Sequence, residues 1–177
     1  MSWLQAFTEG TGEGRLCVYS VAANEARFVD GIATVAADEI VFGIVGHPAP
    51  GTLMARELAL PSGDRLLRLD RVDFPPGGEA FLHTHQGPGI RVLLTGSITI
   101  TTQGIVHTYL PGEPWFETGP DPVHAATHPE QPSAFVRCMV LPAELAGKPS
   151  IRYVDEADRD RPKSQRYTVF LDEPVTL

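Results

Sequence analysis

The sequence predicts an all-β fold, a sandwich or a small barrel, and three observations lead there. Sixteen prolines and seventeen glycines break the 177 residues at short intervals, as turns between strands require. The pieces between them are rich in Val, Ile, Leu, Thr and Phe, the residues that suit a pleated, half-buried surface. Helix-compatible sequence is scarce: "SWLQAF" near the start and "PAELAG" at 142 to 147 are the only candidates, each about one or two turns long.

The expected strands, in order, are "RLCVYS", "EIVFGIV", "TLMARELAL", "LLRLDRVDF", "AFLHTH", "GIRVLLT", "SITITT", "IVHTYL", "PWFET", "AFVRCMVL" and, late in the chain, "RYTVFL". The links "PSGD" and "QG" read as hairpin turns. Residues 155 to 163, "DEADRDRPK", form a mixed charge run that reads as a solvated loop. The strand after that loop must cover an edge, on its own barrel or on that of a partner; an exchanged strand in a homodimer is the expectation. With no internal repeat, a duplicated barrel is not expected, and the length suits one domain.

Fourteen Lys and Arg against twenty-two Asp and Glu give a net charge of -8, so a generic basic surface for nucleic acid or anionic lipid is absent. A small ligand, including an anionic one held by local positive charge, remains open. The longest apolar run, "IVFGIVG", stops at His47 and Pro48, well short of the roughly 20 residues that span a bilayer. The start, "MSWLQAFTEG", lacks the basic-then-apolar order of a signal peptide, and a cytoplasmic protein is expected. Cys17 and Cys138 are expected to be small buried hydrophobes, not a disulfide.

The chemistry concentrates in "FLHTHQGPGIRVLLTG". Alternate residues of a strand share a face, so His83 and His85 project together with about 6 to 7 Å of backbone between them. Their rings can converge on one ion. Two histidines exposed on a strand would show the same pattern, so context must decide.

That context resembles the cupin superfamily. Its first motif is a glycine, five residues, His-x-His, three or four residues, Glu, six residues and Gly; here Gly77, His83, His85 and Gly96 match. The second motif is met more loosely, by Gly104 or Gly112 and by His124 behind "GPDPV". The resemblance covers residues 66 to 142. It implies a double-stranded β-helix, or jelly-roll barrel, within one domain over 1–177, with 1–65 and 150–177 as extensions. It also implies a divalent metal on His83, His85 and His124.

One departure is plain: Gly89 stands where the motif places its glutamate. Some cupins use three histidines alone. The short diketone-cleaving dioxygenases are similar locally, with "HTHQGPG" and a Phe-Glu shortly before the last histidine. Glu117 is the candidate for the absent acid, as a fourth ligand or as a partner orienting a histidine; the alternative is an exposed glutamate at a strand end. Gln86 is a weaker candidate, because it has the opposite strand parity. Arg91 points into the barrel if the register of His83 and His85 continues. A buried guanidinium needs a partner, which would be Glu117 or a ligand oxygen. His128 borders the barrel mouth, and His107 lies on a strand of unfixed facing; each is a proton shuttle or a structural group. His47 is expected in solvent, and Trp115 and Phe116 in the barrel packing.

Three neutral imidazoles on an ion leave open positions and a positive centre suited to an anionic, bidentate ligand. With Fe(II), the preferred ion, the expected reaction is oxygenative cleavage of a small dicarbonyl or organic acid by a metal-dependent dioxygenase. With Zn, Ni or Mn it is Lewis-acid isomerase, cyclase or lyase chemistry. Glu117 and Arg91 are the catalytic candidates. From another class altogether, the chain reads as a barrel that only binds its ligand.

Overall fold

The computed structural model describes all of residues 1–177, and they fold as three antiparallel five-stranded sheets. The first sheet is built from β1 (Trp3–Phe7), β2 (Thr11–Ser20), β3 (Glu25–Thr34), β4 (Glu39–Val45) and β5 (Thr52–Glu57), in the order β3-β2-β4-β1-β5. The other two hold the rest of the chain: β6 (Asp64–Phe74), β7 (Glu79–His85), β8 (Gly89–Thr95), β9 (Ile98–Thr102), β10 (Ile105–Tyr109), β11 (Pro114–Glu117), β12 (Val123–Thr127), β13 (Ser133–Pro142), β14 (Ile151–Tyr153) and β15 (Arg166–Thr176). The second sheet has the order β10-β9-β12-β7-β14 and the third β11-β8-β13-β6-β15. Apart from the β9–β10 hairpin, each successive strand from β6 onward crosses to the opposite sheet. That alternation is the double-stranded β-helix, or jelly roll.

The third sheet is buried on both faces. Leu67, Leu69, Ile90, Val92, Val136, Cys138 and Val140 pack against Leu4, Ala6, Cys17, Tyr19, Phe42 and Ile44 of the first sheet. On its other face Val72, Phe74, Leu93 and Phe135 meet Ala80, Ile98, Ile100, Val123 and Ala125 of the second sheet inside the barrel. Of its strands β13 accordingly reads as a near-continuous apolar run. Cys17 and Cys138 lie in the first of these layers as free, buried thiols.

Several local expectations are corrected. "SWLQAF" is not a helix: β1 pairs with both β4 and β5 in the interior of its sheet. A piece this short has too few internal hydrogen bonds to hold a helix against two ready strand partners. "PAELAG" forms only a single 3₁₀ turn at Ala143–Leu145. "PSGD" is not a hairpin, because β5 and β6 belong to different sheets; Gly63 instead exchanges two backbone hydrogen bonds of 3.1 Å with Leu177. The "QG" hairpin does form: Gln103 and Gly104 have φ of 50° and 76° between paired Thr102 and Ile105, the backbone that a tight two-residue turn needs. Strands β3, β12 and β14 were not expected. The late strand β15 lies along β6.

No helix is long and apolar enough to cross a membrane.

Candidate functional site

The polar centre is a row of residues across the barrel-facing side of the third sheet. Strand registers place Trp115 opposite Arg91, Arg91 opposite Arg137, and Arg137 opposite Asp70. Arg91 is fully buried, and Arg137 and Asp70 are 5% and 2% exposed. Arg137 donates from Nε and Nη2 to the two oxygens of Asp70 at 2.7 and 3.0 Å, a bidentate fork that fixes both groups. Arg91 donates to the Gly89 carbonyl at 2.6 Å, and its Nη2 lies 2.6 Å from Glu117 Oε2. That last contact is close but poorly aligned for a hydrogen bond, so it acts through charge and leaves both atoms short of a directed partner. The other oxygen of Glu117 accepts from Trp115 Nε1 at 2.9 Å.

This arrangement locates the absent acid. Glu117 on β11 is the registered neighbour of Gly89 on β8, so the carboxylate stands one strand sideways from the motif position. The space in front of Gly89 is filled: a Cβ there would lie 2.7 Å from Met139 Cγ and 2.9 Å from Arg91 Nη1. Met139, the Cys138 carbonyl and Arg91 together occupy the volume that a glutamate would need.

His83 and His85 face the same interior, with ring centroids 4.9 Å apart. His83 Nδ1 is 2.7 Å from the Phe81 carbonyl, which fixes that nitrogen as the donor and leaves Nε2 with its lone pair. His85 Nδ1 is 3.3 Å from Ser150 Oγ, and its Nε2 is 3.4 Å from Arg137 Nη1. Burial pushes the pKa of both below 6.5, His85 furthest, and the neighbouring Arg137 and Arg91 push the same way. Both rings are therefore neutral near pH 7, and the 3.6 Å approach of His85 Nε2 to Glu117 Oε2 is a contact, not an ion pair. Burial likewise lowers Arg91 to about 10, which keeps it charged.

His124 is not part of this cluster. Val123 and Ala125 are the β12 residues that face the barrel, and Val123 is the registered partner of His83. His124 points outward, where its Nε2 meets Glu79 Oε1 at 2.7 Å with both side chains partly in solvent. Between Val123 and Ala125 the pairing slips by one residue on β7, a bulge around Phe81 and Leu82 that reverses facing. The three-histidine centre is thus corrected to two inward histidines. Gln86 turns away as well and pairs with Arg152. His107 and His47 are exposed, and His128 accepts from the Glu130 amide at 3.1 Å outside the barrel. Phe116 packs toward the first sheet, not into the barrel.

These residues do not fit a divalent metal. No group of three or more His, Cys, Asp or Glu side chains is arranged to hold one. Guanidinium nitrogens already face His85 Nε2 and Glu117 Oε2 at 3.4 and 2.6 Å. The closed space enclosed by His83, His85, Arg91 and Glu117 is about 20 Å³, room for roughly one water.

A larger cavity adjoins it. About 390 Å³ opens between β6, β13, β15 and residues 147–151, lined by Arg68, Asp70, Arg137, Lys148, Tyr167 and Asp172 with Pro149, Ile151 and Val169 as apolar wall. That volume is in the range of small-molecule sites. Arg68 is saturated: it donates to Asp172 and to the carbonyls of Leu145 and Lys148. Arg137 borders both cavities and carries the Tyr167 ring at 5.5 Å. Sequence reasoning missed Arg137 and Asp70. Their signal was the single charge in the apolar strand "AFVRCMVL" and the alternation of Arg68 and Asp70 with Leu67 and Leu69 in "LLRLDRVDF".

Strand order and register give a jelly-roll barrel, here with an extra sheet on its outer face. No protein-family model matches the chain, and no curated protein sequence matches it. Among solved structures it is similar to a polyketide cyclase from Streptomyces resistomycificus, at 24% identity and a TM-score of 0.43, over 51% of this chain and 61% of that one. It is also similar to an RmlC-like cupin from Shewanella frigidimarina (19%, 0.38, covering 42% and 66%) and to an oxalate oxidase (16%, 0.42, covering 81% of each chain). The chain spans about three fifths of the length of the cyclase.

Proposed function

We propose that the protein is a small-molecule-binding barrel of cupin type. Its ligand is an organic anion with an apolar body, seated in the 390 Å³ cavity with its charged end toward Arg137 and Lys148. The observation that carries this reading is the position of Arg137, which Asp70 holds rigid while Nη1, facing His85 only at 3.4 Å, keeps donor capacity. A guanidinium held in place presents a fork that suits a carboxylate, and Lys148 at the rim adds an unpaired positive charge. Pro149, Ile151 and Val169 give the apolar body a surface to bury. Oxygenative cleavage on three imidazoles, the expectation from sequence, needs a third ring that β12 turns outward.

The test is calorimetric titration and thermal shift with carboxylates of graded chain length. Binding should strengthen with the apolar chain until the cavity is full. Lys148→Glu should weaken it about tenfold, near 1.4 kcal/mol, and Val169→Trp should block it. A panel in which no carboxylate binds, or binding indifferent to both variants, overturns the reading.

A further inference from the structure

We infer that the buried guanidinium groups of Arg91 and Arg137 stand in the electrostatic place of a metal ion, so that this barrel is complete without one. Four observations lead there. Two of the donor atoms that would bind a cation are already turned to one, Glu117 Oε2 to Arg91 at 2.6 Å and His85 Nε2 to Arg137 at 3.4 Å, which leaves only the lone pair of His83 Nε2. The position opposite His83 on β12 is Val123, an apolar residue where a further ligand would have to enter. The volume in front of Gly89 is taken by Met139, the Cys138 carbonyl and Arg91.

The fourth observation is the charge balance. Arg91 and Arg137 carry two positive charges, and Glu117 and Asp70 carry two negative ones. The buried set is neutral with His83 and His85 uncharged. A divalent ion would add two uncompensated charges at the centre of a dry barrel, a large penalty in a medium of low dielectric. A guanidinium supplies the positive charge with the added constraint of directed N–H donors. His85 then acts as a neutral acceptor beside Arg137, not as a ligand. This holds whether or not the larger cavity takes an anion.

The first measurement is the metal content of untagged protein prepared without chelator from cells supplied with iron, manganese, zinc and nickel. Sub-stoichiometric metal and a melting temperature unmoved by EDTA are expected. Metal retained equally by wild type and His83→Ala sits elsewhere and agrees with the inference. A stoichiometric ion lost in His83→Ala, or a melting temperature that falls on chelation, overturns it.

The second measurement removes the cation and adds a ring. V123H/R91L places an imidazole opposite His83 and frees the Glu117 carboxylate, and it should gain a zinc- or cobalt-dependent rise in melting temperature that wild type lacks. A folded double variant that binds no metal would show that the guanidinium is not what excludes the ion, and would overturn the inference. The metal content of wild type decides alone if the double variant does not fold.

Discussion

Arg91 and Arg137 stand directly opposite each other on neighbouring strands, at the centre of a face that water does not reach. Like charges in that relation repel. They are tolerated because each has a carboxylate on its far side, Glu117 for Arg91 and Asp70 for Arg137. The four groups act as a unit, and removing one member strands another.

Arg91→Met should therefore be costly. It leaves Glu117 buried without its cation and is expected to lower stability by about 3 to 5 kcal/mol. Adding Glu117→Gln removes the stranded charge and keeps an acceptor for Trp115, so R91M/E117Q should recover much of the loss. Urea unfolding of the two singles and the double measures the coupling. Additive losses would mean that the pair does not interact.

Acid should unfold the protein through His83 and His85. Burial holds both below their ordinary value of 6.5, so below that pH the unfolded chain takes up protons that the native chain refuses. Stability is then full above about pH 7 and falls as pH drops through 6.5, until the lower native values are reached. His85→Gln should flatten that slope. Denaturation midpoints between about pH 7.5 and pH 5 report it, and an unchanged slope in the variant would refute the assignment.

His124→Ala should do little. Its contact with Glu79 lies in solvent on the outer face, and exposed pairs contribute about 0 to 1 kcal/mol. Ligand affinity and metal content should match wild type. A large loss of either would return His124 to the site.

Gly89→Ala is the sharpest packing test. The added methyl would sit 2.8 Å from the Cys138 carbonyl, backbone that cannot swing aside, and 2.9 Å from Arg91 Nη1. A loss of about 1 to 3 kcal/mol is expected, with thermal melting as the check.

Much of this was legible in the sequence. The β-rich composition, the paired histidines, the inward Arg91 and its pairing with Glu117 all follow from period two and from the cost of an unpaired buried charge. His124 was not legible, because nothing in "GPDPVH" announces which parity of the strand it enters faces the barrel, and Val123 and Ala125 take the inward positions. Arg137 and Asp70 were hidden for another reason. In "AFVRCMVL" alternation carries no information, and in "LLRLDRVDF" the charges alternate with leucines and read as an outward face that the fold in fact covers. "SWLQAF" went wrong because its place between β4 and β5 is set by residues more than 30 positions away.

The doubly covered third sheet makes the amino-terminal strands indispensable to solubility. A chain trimmed to the barrel alone would bare Leu67, Leu69, Ile90, Val92, Val136 and Val140 as one contiguous greasy plane, the kind of surface that draws copies together into aggregates. The jelly roll here is not a portable module: its outer wall is the floor of another layer, and the two must be expressed, folded and inherited together.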